Sequence, residues 1–199
     1  MQTTPEFLII AGANGAGKTT AAYTLLPDIL ACKEYVNADE IARGLSPFQV
    51  ETVAIEAGKI MLQRITELLN THKSLAIETT LASKIYQKYI SMAKRQGYHV
   101  SLIFFWLQDL SLAKERVRTR VLSGGHHIDN SIIERRYYNG ILNLFDIYLS
   151  LVDNVLLYDN SQGEPSLIAE ISMKTDITII DKDKYNLLIA QYENRKRTC

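Results

Sequence analysis

The stretch Phe7-Leu8-Ile9-Ile10-Ala11-Gly12-Ala13-Asn14-Gly15-Ala16-Gly17-Lys18-Thr19-Thr20 decides the fold. Its apolar run, Phe7 to Ile10, reads as a buried strand, and it enters a loop of small residues that opens onto Lys18, Thr19 and a helix-compatible segment. Gly12, Gly17, Lys18 and Thr19 satisfy the G-x-x-x-x-G-K-[ST] spacing of a phosphate-binding loop in the strand, loop, helix context that spacing requires. With little side chain in the way, backbone N–H groups from Gly12 through Ala13, Asn14, Gly15, Ala16 and Gly17 can point at phosphate oxygens, and the helix start adds partial positive charge. Lys18 then bridges the outer phosphates, the Thr19 hydroxyl is the candidate magnesium ligand, and Thr20 closes the nucleotide-binding set.

Working outward, strand-like runs alternate with helical ones, which predicts an α/β fold: a mainly parallel sheet with helices on both faces. Lys18 to Leu26 reads as a helix brought towards its end by Pro27, and Tyr35-Val36 as a short strand closing in Asn37-Ala38-Asp39. Gly44 to Pro47 breaks the chain, after which Ser46 as cap and Pro47 as first residue predict a long amphipathic helix to about Asn70. Leu75 to Ile77 predicts a strand ending at Glu78-Thr79-Thr80, and Lys84 to Gln96 a helix stopped by Gly97. His99 to Leu107 is almost continuously apolar, as a strand buried on both faces would be. Asp109 is read as the cap of a helix over Leu112 to Leu122 rather than as the acid of a second nucleotide motif. Asn154 to Tyr158 predicts another core strand, Leu167 to Ile171 and Asp176 to Ile180 a hairpin or edge pair, and Lys184 to Asn194 a last helix followed by a solvated tail, Arg195-Lys196-Arg197. A single domain over 1–199 is expected, with a helical lid at about 116–140 and the hairpin plus helix at about 165–195.

Composition narrows the function classes. The 22 Lys+Arg balance 22 Asp+Glu, so no global basic field marks a nucleic-acid or membrane binder, and nucleic acid is not the expected partner. Cys32 and Cys199 are too few for a disulfide framework or a cysteine metal site. The polar segment Met1 to Glu6 does not read as a secretory signal, and a cytoplasmic protein with reduced thiols is the expectation.

In an open parallel sheet, ligands bind beyond the carboxyl ends of the strands, and here those ends carry the phosphate loop, Asp39 and Glu78. A carboxylate beside ATP can take the proton of an attacking hydroxyl. Asp39 also fits a helix N-cap, and Glu78 also fits a carboxylate that holds magnesium through water. Cations to stabilise the transferring phosphoryl group come from Arg116 and Arg120, one helical turn apart, and from Arg135 or Arg136 beyond the Gly124-Gly125 hinge. Two of the four are expected at phosphate and the others as surface partners of Glu115 or Glu134. His126-His127 lacks a third ligand for a metal and reads as a mobile loop with one His near nucleotide.

The blocks GANGAGKTT, VNADEIARGLSP, AIETTLAS, and RVLSGGHHI with RRYYNGILNL occur in an order that resembles the zeta-toxin family of P-loop kinases, over roughly Phe7 to Leu157. The resemblance implies a nucleotide-kinase-like P-loop fold that uses ATP and Mg2+ to phosphorylate a hydroxyl of a small molecule, UDP-N-acetylglucosamine in well-known toxins of the family. It implies a possible antitoxin partner as well. Carried over, Lys18 and Thr19 serve ATP and magnesium, Asp39 is the base and Glu78 binds substrate; Asp39, Thr79 and Arg135 are assigned beside it to the substrate. Arg120 and one of Arg135 and Arg136 are the lid arginines, Arg136 being assigned to catalysis, and Arg116 is assigned to the nucleotide. A nucleoside or polynucleotide kinase, or a non-catalytic nucleotide switch, are the alternatives.

Overall fold

The computed structural model describes residues 4–25, 32–172 and 176–198. Strand β1 (Glu6–Gly12) is the axis of the sheet. It is buried from Phe7 onward and paired in parallel with β3 (Leu75–Thr79) on one side and β4 (His99–Trp106) on the other. Beyond β3 lies the short edge strand β2 (Tyr35–Asn37), and beyond β4 the parallel strand β5 (Asn154–Asp159). Two antiparallel strands, β6 (Ser166–Ser172) and β7 (Asp176–Ile179), complete the order β2-β3-β1-β4-β5-β6-β7. The unbroken apolar runs of β1 and β4 follow from their central places, where both faces are covered and alternation with polar residues has no solvent face to serve. One contiguous core gathers these strands with residues of the surrounding helices, Trp106, Tyr148, Phe104 and Met61 among its largest fully buried side chains.

Helix α1 (Lys18–Leu25) starts directly on the phosphate loop. Leu26 and Pro27, the predicted end of that helix, lie outside the described residues. Helix α4 (Tyr86–Arg95) stops before Gly97, whose φ of 80° is the left-handed conformation expected of a glycine there. Helix α5 (Leu110–Leu122) is capped as expected, Asp109 accepting the Ser111 N–H at 2.7 Å.

The segment after β2 departs from expectation. A helix α2 (Ala38–Leu45) follows the strand at once, and Ser46 closes it by donating its N–H to the Ala42 carbonyl at 2.9 Å. The Ser46 carbonyl then accepts the Gln49 N–H at 3.2 Å in a turn, so Ser46 ends one helix and leads into a turn rather than into the long helix. A 3-10 turn (Val50–Val53) intervenes before α3 (Ala54–Asn70), which has no side-chain cap. At the other end of the chain, α7 (Lys182–Thr198) takes in the predicted tail. The Arg195 guanidinium lies 4.6 Å from the Tyr138 ring centre, and Lys196 meets Asp146 at 2.6 Å, so two of the three basic residues have partners on α6 (Asn130–Asp146).

Candidate active site

The phosphate loop, residues 13–17, hangs from the carboxyl end of β1 and is braced from three sides. Gly12 has φ 143°, and a Cβ there would come within 2.2 Å of the Phe105 carbonyl oxygen on β4, so only glycine fits this approach. From the end of β5, the Asn160 amide donates to the Ala16 carbonyl at 2.8 Å. Arg116 on α5 donates to the Gly15 carbonyl at 3.4 Å and to the Ser161 carbonyl at 2.8 Å. A trans peptide points its C=O and N–H oppositely, so a tethered Ala16 carbonyl turns the Gly17 N–H the other way, towards the cradle. Arg136 on α6 approaches the Asn14 side chain at 3.5 Å.

Lys18 is buried, folds back to donate to the Ala13 carbonyl at 2.9 Å, and lies 3.7 Å from Glu78 Oε1. Burial pulls its ammonium below the usual lysine range, Glu78 and Asp39 pull the other way, and Arg120 and Arg136 add to the lowering. Four of the predicted charges, Glu78, Asp39, Arg120 and Arg136, thus act on the Lys18 ammonium. Glu78, at the end of β3, accepts from Thr19 Oγ1 at 2.8 Å, from Asn37 Nδ2 at 2.9 Å and from the Tyr35 hydroxyl, all at Oε2. Burial and the Glu78 carboxylate keep the Tyr35 phenol far above its ordinary pKa, so it is a donor at neutral pH.

Asp39 lies in the first turn of α2 and is not its cap: Asn37 Oδ1 accepts the Asp39 N–H at 2.8 Å. The Asp39 carboxylate, freed of that duty, lines a cavity of about 380 Å³ with Glu51, His126, His127, Asp129 and Arg136 over an apolar floor that includes Val50 and Ile132. A second cavity, of about 550 Å³, lies against the loop between Gly17, Thr20, Phe105, Arg116, Tyr158 and Gly163.

The predicted residues divide accordingly. Arg116 is held at the second cavity, and Arg136 reaches the first. Arg120 is half-buried, and its Nε and Nη2 are enclosed without a hydrogen-bond partner among the described residues. Arg135 is exposed. The Thr79 hydroxyl accepts the Leu81 N–H at 3.0 Å, and Leu81 has φ 59°. The expected arginine partner of Glu134 is replaced by Lys114, at 2.9 Å. His126 is half-buried beside Asp39, its Nδ1 has no hydrogen-bond partner among the described residues, and burial lowers its pKa despite the Asp39 charge.

Four contributors were not expected from sequence: Asn160, which shapes the loop, Tyr35 and Asn37, which hold Glu78, and Glu51 in the Asp39 cavity. Asn37 alone left a local signal, a capping residue directly after a strand and before a helical Ala38-Asp39-Glu40-Ile41.

A braced phosphate loop at the end of a central parallel strand, with a buried lysine and carboxylates at the neighbouring strand ends, defines a P-loop phosphotransferase of the nucleotide-kinase-like class. The chain belongs to the zeta toxin family, whose model matches residues 1–168. An uncharacterized protein of Haemophilus influenzae is 27% identical over 130 residues, 65% of this chain and 91% of that one. Among solved structures, the AvrRxo1-ORF1:AvrRxo1-ORF2 complex with ATP superposes with a TM-score of 0.73 at 17% identity, covering 93% of this chain and 63% of the matched one. The chain therefore spans less than two thirds of that neighbour's length. The PezAT chromosomal toxin-antitoxin system of Streptococcus pneumoniae superposes with a TM-score of 0.65 at 18% identity, covering 99% of this chain and 88% of that one. Among the described residues no helix is long and apolar enough to cross a membrane.

Proposed function

We propose that the protein transfers the γ-phosphate of ATP to a hydroxyl of a small molecule, with UDP-N-acetylglucosamine as the leading acceptor and Asp39 as general base. The observation that carries this reading is the placement of Asp39 and Arg136 in one cavity, with both acting on the Lys18 ammonium of the phosphate loop. A switch would need no carboxylate poised for an acceptor.

ATP phosphates fit the loop, whose lysine leaves a backbone carbonyl at 2.9 Å and a carboxylate at 3.7 Å to meet them. The cavity beside Arg116 and Tyr158 suits the base. The acceptor enters the Asp39 cavity. Its hydroxyl oxygen bonds to the γ-phosphorus as the bond from that phosphorus to the ADP oxygen breaks, and its proton passes to Asp39. Lys18, Arg120 and Arg136 hold the charge that spreads over the phosphoryl oxygens. Thr19 and Glu78, a hydroxyl and a carboxylate, suit magnesium, which takes oxygen ligands and substrate phosphates and when bound neutralises charge on the outer phosphates. Arg135, being exposed, contacts the acceptor from the solvent side, and Thr79 stands next to Glu78 at the end of β3 with its hydroxyl held by the Leu81 N–H. The PezAT and AvrRxo1 neighbours are structures of two-component assemblies, which supports an antitoxin-like protein partner here, acting in the cytoplasm.

The test incubates protein, magnesium and γ-labelled ATP with UDP-N-acetylglucosamine, with an oligonucleotide, and with water alone. Label on the sugar nucleotide, absent with Lys18→Ala, is the expected result. Label on the oligonucleotide alone would move the function to polynucleotide kinases, and free phosphate alone would remove the proposed acceptor.

A further inference from the structure

We propose that Tyr35 and Asn37 are positioning residues for the divalent cation that accompanies ATP, a role that rests on the phosphotransferase reading above. A carboxylate offers about four acceptor directions over its two oxygens. In Glu78 these are used unevenly. Oε2 accepts from Thr19, Asn37 and Tyr35, and the Asn37 amide also donates to the Tyr35 hydroxyl at 3.1 Å, closing a small ring of polar groups. Oε1 has the Lys18 ammonium at 3.7 Å.

Two consequences follow for a cation. The donors on Oε2 stop the carboxylate from rotating and keep Oε1 turned to the Lys18 side. The Thr19 hydroxyl also spends its proton on Glu78, which leaves its lone pairs free for a metal. Among the described residues no group of three or more His, Cys, Asp and Glu could hold a metal ion alone. The nucleotide must therefore supply much of the coordination, and the orientation of Thr19 and Glu78 sets what the protein adds. The holding groups come from β2, where Asn37 is the register partner of Glu78 across the β2–β3 ladder. Strand pairing thus sets the clamp before any ligand arrives.

Tyr35→Phe removes one oxygen and keeps the ring that stands edge-on to Tyr23 at 5.9 Å. Manganese uptake is read by electron paramagnetic resonance with ATP present, and ATP affinity by calorimetry with and without the metal. The expected result is manganese uptake weakened about tenfold, as for other groups that orient metal ligands, with metal-free ATP affinity unchanged. Unchanged manganese uptake would overturn the proposal, as would an equal loss of ATP affinity with and without metal, which marks a merely structural role. Wild-type protein that binds ATP but takes up no manganese would sink the clamp alone; failure to bind ATP at all would sink the phosphotransferase reading with it. If Tyr35→Phe does not fold, Asn37→Ser gives the same readout, since it keeps a helix-capping oxygen while withdrawing the amide from Glu78.

Discussion

Replacing Arg120 by Met should move stability and activity in opposite directions. Arg120 encloses Nε and Nη2 without a hydrogen-bond partner among the described residues, and it adds to the repulsion felt by Lys18. Each buried unsatisfied donor costs about 1–3 kcal/mol, and because Arg120 is only half-buried we take the lower end for the pair, about 1–2 kcal/mol in all. Met keeps the methylenes that pack against Gly125, where a Cβ would already come within 2.8 Å of Arg120 Cγ. Arg120→Met therefore relieves that cost while keeping the packing of the stem. For a chain of this length that gain raises the melting temperature by about 2–8 °C. In the transfer proposed above, the same two donors meet phosphoryl oxygens in the transition state, and hydrogen bonds to charged groups contribute about 1.5–3 kcal/mol each. Their loss lowers kcat by about a hundred- to ten-thousand-fold. The assay pairs calorimetric melting of the ligand-free protein with steady-state transfer kinetics. A melting temperature that falls would refute the enclosed, unpaired arginine, and an unchanged kcat would refute its place at the reacting phosphate.

Three further outcomes are expected. Asp39→Asn keeps the shape of its cavity and lowers kcat by about a hundred- to ten-thousand-fold, while ATP affinity measured by calorimetry stays within threefold; near-wild-type turnover would refute the base. Gly12→Ala forces a side chain into positive φ against a β4 carbonyl and destabilises by about 3 kcal/mol or more, read as a lower urea midpoint, and an unchanged midpoint would deny the close approach. Asp159 is buried at the end of β5, where burial raises its pKa, but Ser161 and Lys184 outweigh that and leave it below the usual aspartate value. A depressed carboxylate pKa stabilises above the unfolded value, about 3.9, and that contribution fades as pH falls through the folded value. Asp159→Asn should therefore cost about 2 kcal/mol at pH 7 and progressively less below pH 4, as urea unfolding at the two pH values would show; an equal cost at both would refute the ionic contribution.

The strands and the phosphate loop were legible because their signals are local: an unbroken apolar run for a strand covered on both faces, and a fixed spacing of small residues ending in Lys18-Thr19. The crevice was legible by topology, since polar residues closing parallel strands must meet at one edge of the sheet. What stayed hidden depends on contacts between distant segments. Ser46 and Pro47 form a sound helix start on their own, but Ser46 closes the preceding helix and its carbonyl turns the chain to Gln49, so the long helix starts only at Ala54. Arg195 to Arg197 look like a free tail until α6 supplies Tyr138 and Asp146. Asn160 reaches the phosphate loop across 144 positions of sequence, and nothing in its neighbours marks it. Arg135 and Arg136 are adjacent and chemically alike, so only the rotation of α6 separates the exposed one from the one at Asn14.

The most direct test of phosphoryl transfer through this crevice needs no prior choice of acceptor. Wild-type protein is incubated with a bacterial metabolite extract and ATP carrying 18O in its γ-phosphate, and mass spectrometry reads every compound that gains the heavy phosphoryl group. The account predicts heavy phosphate on one or a few small hydroxyl compounds, lost with Lys18→Ala and with Asp39→Asn. Heavy phosphate found only as the free ion, at the same level in all three proteins, would contradict it.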